Sequence, residues 1–143
     1  PVTGPHEIPG SLQRLLNARV DCLFPMSDNT INSSFDVVGR AAEENAVPLF
    51  ASFLRSVEFG ACAALGYDFY EMGVKTGRLA VRVMNGESPA GIPIQSMDEV
   101  KLYLNGAAAA RQGVLFPEAL VRRAARTVSA APGPSPASGL SPD

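Results

Sequence analysis

Between Val20 and Ser52 the hydrophobic period changes twice, and this constrains the fold more than any other feature of the chain. The run "VDCLF" is short and apolar and is stopped by Pro25, the pattern of a buried strand. From Ile31 the apolar residues Ile31, Phe35, Val38 and Ala42 recur at helical spacing, with Asn32, Asp36, Arg40, Glu43 and Glu44 on the far side. "VPLFAS" then reads as a second short strand. Strand, helix and strand at this spacing form a βαβ unit, with parallel strands and a right-handed crossover. The expected class is α/β, a mainly parallel sheet flanked by helices.

The remaining segments extend this reading. Strands are predicted near 20–24, 48–52, 61–65 and 100–104, the last because Val100, Leu102 and Leu104 alternate with Lys101 and Tyr103. Helices are predicted near 31–45, 69–85 and 117–128, after a short one in which Leu12, Leu15 and Leu16 share a face. Asp68 is placed to cap the long helix and Asn85-Gly86 to stop it. Gly73 and Gly77 lie one turn apart on it, where each costs about 1 kcal/mol against Ala. Close packing of another backbone would justify that cost. Asn105 can cap "GAAAARQG", and Pro117 suits the first position of a last helix whose Leu120, Val121, Ala124 and Val128 point inward. Residues 1–10, rich in Pro and Gly, are expected to be an irregular lead-in, 11–128 the α/β region, and 129–143 a disordered Pro/Ser/Gly tail or linker.

Bulk properties narrow the function. A formal charge of −2 and a pI near 5.4 argue against a nucleic-acid partner, and Arg122, Arg123 and Arg126 read as one solvated helix face. The start "PVTGPHEIPG" has neither a basic n-region nor an apolar h-region, so no signal peptide is read there. Cys22 and Cys62 both lie in apolar runs and are expected to be buried free thiols. His6 is the one histidine, which disfavours a histidine-based metal site or catalytic triad; no metal, no cofactor and no catalysis are expected.

The candidate site follows "VDCLFP". Ser27, Asp28, Asn29 and Thr30 stand where a strand ends and a helix begins, the place where open parallel sheets hold ligands. Such a turn can hold a zwitterion, its carboxylate on unpaired helix N–H groups and its ammonium on Asp28. Ordinary capping accounts for the same residues, because Ser, Thr, Asp and Asn are the preferred N-caps. In "GYDFYEMG" two readings also stand: capping by Asp68 with core packing by Phe69, or ring stacking on a ligand. "GVKTG" lacks phosphate-loop spacing, so Lys75 and Thr76 read as surface residues.

The segments "VDCLFPMSDNTINS", "VPLFAS", "GACAALGYDFYEMGVKTGRLAVRVMNGESPAGIPI" and "KLYLNGAAAARQGVLFPEALVRRA", in that order, resemble the C-terminal half of an ABC-transporter substrate-binding protein of the tryptophan- and tyrosine-type group. The resemblance runs from about Ser11 to Val128. It implies the C-terminal part of a type I periplasmic-binding fold with the N-terminal lobe absent. It also implies a small polar or amino-acid-like solute, a membrane permease as partner of the complete protein, and a periplasmic or extracytoplasmic location. Ligand contacts would come from Ser27, Asp28, Asn29 and Thr30, from Ser52 and Phe53, and from Gly60 and Ala61 where the chain crosses the hinge. The helix Tyr70–Asn85 would pack in the other lobe, and in the isolated chain its face would either drive self-association or repack onto its own sheet. The alternative is a sensory or interaction module of the same fold in which binding is altered or lost.

Overall fold

Leu23 and Leu49 pair in parallel, as the βαβ pattern requires, but they form a single bridge rather than a full strand pair. The computed structural model describes residues 2–97 and 99–129. Residues 130–143, nearly all of the expected tail, lie outside the described residues.

The lead-in is not irregular. Pro5–Glu7 form a 3-10 turn that passes directly into α1 (Ile8–Asn17). Pro9 and Gly10 look like helix breakers in sequence, but a proline is tolerated in the first turn, where its missing N–H has no partner to lose. Ile8 and Leu12 are the buried pair, while Leu15, expected on the inner face, is exposed.

The helix expected over 31–45 is broken into α2 (Asn29–Asn32) and α3 (Phe35–Glu44). At the break Ser33 Oγ donates to the Thr30 carbonyl at 2.9 Å, a side-chain bond of the kind that competes with a helix ladder. The predicted stripe otherwise holds. Phe35, Val38 and Ala42 are buried and Ile31 packs against them half-buried, each large side chain contributing about 1.5–3 kcal/mol. α1 packs across α3. Beyond it β1 (Phe50–Ala51) follows, then a 3-10 segment, Leu54–Phe59.

β2 (Ala63–Gly66) pairs in parallel with β1, Phe50 opposite Ala63. The chain then leaves this body. α4 (Phe69–Met84) has no buried residue, and space beside Gly73 and Gly77 is open to 4 Å. The return is β3 (Lys101–Asn105), antiparallel to β2 with Ala63 opposite Leu104 and Gly66 opposite Lys101. Residues 67–100 are thus an excursion hung on two adjacent strands. At its base Lys101 Nζ pairs with Glu71 and lies 3.6 Å from Asp68.

α5 (Gly106–Arg111) is capped by Asn105, whose Oδ1 accepts from Ala108 N at 2.9 Å. The last predicted helix is corrected: α6 (Glu118–Arg123) stops early, and β4 (Arg126–Val128) pairs in parallel with β3. Ala125 N donates to the Leu102 carbonyl at 2.8 Å, so this segment completes the free edge of β3 rather than a fourth helical turn. A chain of Arg, Thr and Val accepts an extended ladder readily. The sheet order is β1-β2-β3-β4, with parallel, antiparallel and parallel pairings; with the Leu23–Leu49 bridge it is mainly parallel, as expected.

Cys22 corrects the reading of two buried thiols. It is exposed, because on an edge segment only alternate side chains turn inward and Leu23 is the one that does. Cys62 is buried as expected. Burial pushes its thiol pKa up, and its Sγ bonds to Gln112 Oε1 at 2.8 Å.

Candidate functional site

Parallel pairing of Leu23, β1 and β2 brings three chain segments out at one edge: Pro25–Thr30, Ser52–Phe53 and Tyr67–Asp68. Neighbouring strand ends are about 4.8 Å apart, so residues distant in sequence meet there.

In the first segment Asp28 caps α2 from an extended backbone, φ −142°, and its Oδ1 accepts from Ile31 N at 2.8 Å. Asn32 Nδ2 donates to Ser27 Oγ at 3.2 Å and so closes the turn on itself. Ser27, Asp28 and Asn29 are exposed and Thr30 is half-buried. The capping reading is therefore realised. The dipole argument weakens, since a helix of four residues sums few peptide dipoles and one of its first N–H groups is already taken by Asp28. What the turn presents to a ligand is side-chain chemistry: the outer carboxylate oxygen of Asp28, the Asn29 amide and the Thr30 hydroxyl.

Ser52 is exposed beside this turn, and Phe53 is half-buried with its ring centroid 5.8 Å from that of Phe69. Gly66 lies directly against Ser52; a Cβ there would stand 2.1 Å from the Ser52 carbonyl oxygen. Gly60 and Ala61 are placed elsewhere. Both are buried, ahead of β2 and so at the opposite end of the sheet from Ser52. Gly60 has φ +106° and faces Gly39 of α3, where it lets two backbones touch, so this pair is not brought together with Ser27–Thr30 and Ser52.

Sequence reasoning missed a recess of about 330 Å³ between the base of the excursion and the body. Phe53 and the Leu54–Phe59 segment form one wall, Tyr67 to Tyr70 the other, and Tyr103 and Arg126 complete it. Phe69, for which core packing was one of two readings, is 62% exposed here. Asp68 does cap α4, accepting from Tyr70 N at 2.9 Å and Glu71 N at 3.3 Å. The Glu71 N–H foremost, with the Tyr70 N–H and the charge of Lys101, holds its carboxyl below the usual range. Lys101 is raised by its bond to Glu71 and by the nearby carboxylates. Glu58 is shared by two arginines, Arg55 at 3.2 Å and Arg126 at 2.9 Å, and the Arg126 guanidinium sits 5.7 Å from the Tyr103 ring centre. The sequence signal that could have pointed here is the aromatic density of "GYDFYEMG"; Tyr103 and Arg126 carry none until the strands are paired.

Residues 6–128 match the family described as ABC transporter substrate binding protein. A tyrosine-binding protein of Clostridioides difficile (strain R20291) is 39% identical over 90 residues, 63% of this chain and 26% of that protein. An ABC domain in complex with L-Trp from Streptococcus pneumonia is similar with a TM-score of 0.78 at 28% identity, over 89% of this chain and 44% of that one. The ligand-free, open structure of a substrate binding protein with adhesive properties from Clostridium difficile gives 0.66 at 28% identity, over 90% and 43%. The chain spans less than half the length of each of these relatives.

Proposed function

Because the chain belongs to the ABC transporter substrate binding protein family, we propose that it is the solute-holding part of such a protein, without catalysis, and that its solute is a small polar or amino-acid-like molecule. The observation that carries the reading is the shared edge, where the exposed Asp28 and Asn29 and the half-buried Thr30 follow Leu23 as Ser52 and Phe53 follow β1, its parallel neighbour. An ammonium group would sit on the outer oxygen of Asp28. A carboxylate would take the hydroxyls of Thr30 and Ser52 and the amide of Asn29. The relatives named for tyrosine and solved with L-Trp support an amino acid as the head group to test first. The complete protein would work with a membrane permease on the outer side of the membrane or in the periplasm. The open notch at Gly73 and Gly77 supports a further lobe packing on α4, and the same face, Tyr70–Asn85, would pair isolated copies.

A second reading, a sensory or interaction module with altered binding, draws on the way Asp28 and Ser27 are already engaged within the turn, accepting from Ile31 N and Asn32 Nδ2. One substitution separates the two. Asp28→Ser keeps a good N-cap, so stability should change by only a few tenths of a kcal/mol, while the carboxylate is gone. In calorimetric titration with L-tyrosine and L-tryptophan, affinity should fall about tenfold or more, the scale of a lost charge-assisted contact. Equal affinity in the variant would remove Asp28 from the site, and no binding by the parent chain would favour the sensory module.

A further inference from the structure

We infer that Lys101 is an electrostatic strut: by holding Asp68 and Glu71 it fixes the angle at which α4 leaves the sheet, and when its charge is screened or lost the excursion pivots about Tyr67–Asp68. Little else holds that angle. α4 buries no residue, and among the described residues no strand or helix of the body packs broadly against it. The chain beside it belongs to the excursion itself, where Lys75 Nζ donates to the Ser96 carbonyl. The body meets the start of α4 through a tilted ring contact, Phe53 with Phe69, 5.8 Å between centroids.

Two strand ends carry the excursion, and Lys101 stands where they part. It is the first residue of β3 and lies opposite Gly66, the last of β2. Beyond this pair the ladder ends. The outgoing arm runs through Tyr67 to Asp68, an extended residue (φ −80°, ψ 113°) that caps α4. Two backbone links define an axis about which a helix can turn, and a third connection away from that axis stops the rotation.

Lys101 supplies that connection. Its Nζ bonds to Glu71 Oε1, in the first turn of α4, and stands 3.6 Å from Asp68 Oδ2. Asp68 divides its carboxylate: Oδ1 accepts from Tyr70 N and Glu71 N, which leaves Oδ2 for the lysine. Cap and strut share one side chain, so α4 cannot swing off β3 with both intact. Without the ammonium, two carboxylates three residues apart would repel each other uncompensated. The Lys101 and Asp68 side chains are 24% and 22% exposed and that of Glu71 is 49% exposed. They are covered enough to keep one geometry and open enough for salt to reach. The strut does not rest on the solute reading, since none of its three residues belongs to the edge at Ser27–Thr30 and Ser52–Phe53.

The test reads helix orientation from the N–H residual dipolar couplings of the full chain in a stretched neutral gel, with β2 and β3 as the internal control of the fold. In the parent at low salt, α4 and the sheet should fit one alignment tensor. In Lys101→Met, which keeps the stem and removes the charge, the α4 couplings should lose most of their size while those of the sheet hold. Lys101→Arg should restore them. Raising NaCl from about 0.05 M to about 1 M, where the screening length falls to about 3 Å, should move the parent toward Lys101→Met and leave that variant unchanged. Parent-like α4 couplings in Lys101→Met would overturn the strut. A parent that ignores salt would overturn its release by screening. A larger loss in Phe69→Ala than in Lys101→Met would assign the angle to the ring contact and overturn the strut as well. None of these failures touches the proposed solute function, which is read from amino-acid binding and Asp28→Ser.

Discussion

Gly39→Ala is expected to unfold the domain or leave it barely stable. A Cβ at Gly39 would stand 1.8 Å from the carbonyl oxygen of Phe59, 2.9 Å from its carbonyl carbon and 3.2 Å from Gly60 Cα. All three are backbone atoms, so no side chain can swing away. Gly60 cannot yield either, since its φ of +106° and its own approach to Gly39 fix the turn. α3 would have to lift off the sheet, and Phe35, Val38 and Ala42 with it. The loss should be on the order of 3–5 kcal/mol, large beside the 5–15 kcal/mol that holds a typical domain. Gly73→Ala and Gly77→Ala provide the contrast. Nothing lies within 4 Å of either, so each should stabilise α4 by up to about 1 kcal/mol. Urea denaturation of the three variants would check both signs; a stable Gly39→Ala would mean that α3 does not cross the Phe59–Gly60 turn this closely.

Gln112→Ala should cost nearly as much, by a different route. Gln112 follows α5 and is 1% exposed. Its Oε1 accepts from Leu49 N at 2.7 Å and from Cys62 Sγ at 2.8 Å, and its Nε2 donates to the Gly60 carbonyl at 2.7 Å. One side chain thus ties the starts of β1 and β2 to α5. Its removal leaves two buried peptide groups without that partner, at about 1–3 kcal/mol each, and opens a cavity besides. The urea midpoint should fall steeply, and Cys62 should become reactive toward a thiol reagent at lower urea than in the parent. An unchanged midpoint would show that water or a neighbouring group replaces the amide. Asn105, which caps α5 and also donates through Nδ2 to the Val57 carbonyl at 2.7 Å, is the parallel tie for β3.

What could be read from sequence was whatever depends on neighbours along the chain. The period of Phe35, Val38 and Ala42, the caps at Asp68 and Asn105 and the strand at Lys101–Asn105 are set by local spacing and side-chain chemistry, and they appear as expected. What was missed depends on partners far away. Arg126–Val128 is a strand only because β3 has an open edge to offer. Pro9 belongs to a helix because Ile8 and Leu12 find α3 and the body behind it. Cys22 is outside because Leu23, one residue on, is the side chain the edge turns inward.

The site divides the same way. As a helix cap Ser27–Thr30 was legible, because a strand end followed by capping residues is a local pattern. That Gly60 and Ala61 lie apart from that turn was not legible, because the same glycine that can admit a ligand can also admit a helix, and here α3 packs against Gly60. The aromatic recess joins residues from Phe53 to Arg126 and exists only once β2, β3 and β4 are side by side. No window along the chain contains it.

The central claim is that the edge carrying Asp28, Asn29, Thr30, Ser52 and Phe53 holds the solute. Amide chemical-shift mapping of the full chain during titration with L-tryptophan tests it most directly, because it reports weak binding and its place together. The account predicts that the signals of Asn29, Thr30 and Ile31 and of Ser52 and Phe53 move in a saturating way, and that those of Gly60, Ala61 and α1 stay fixed. Saturating shifts centred on Gly60 and Ala61, or none at millimolar ligand, would contradict it.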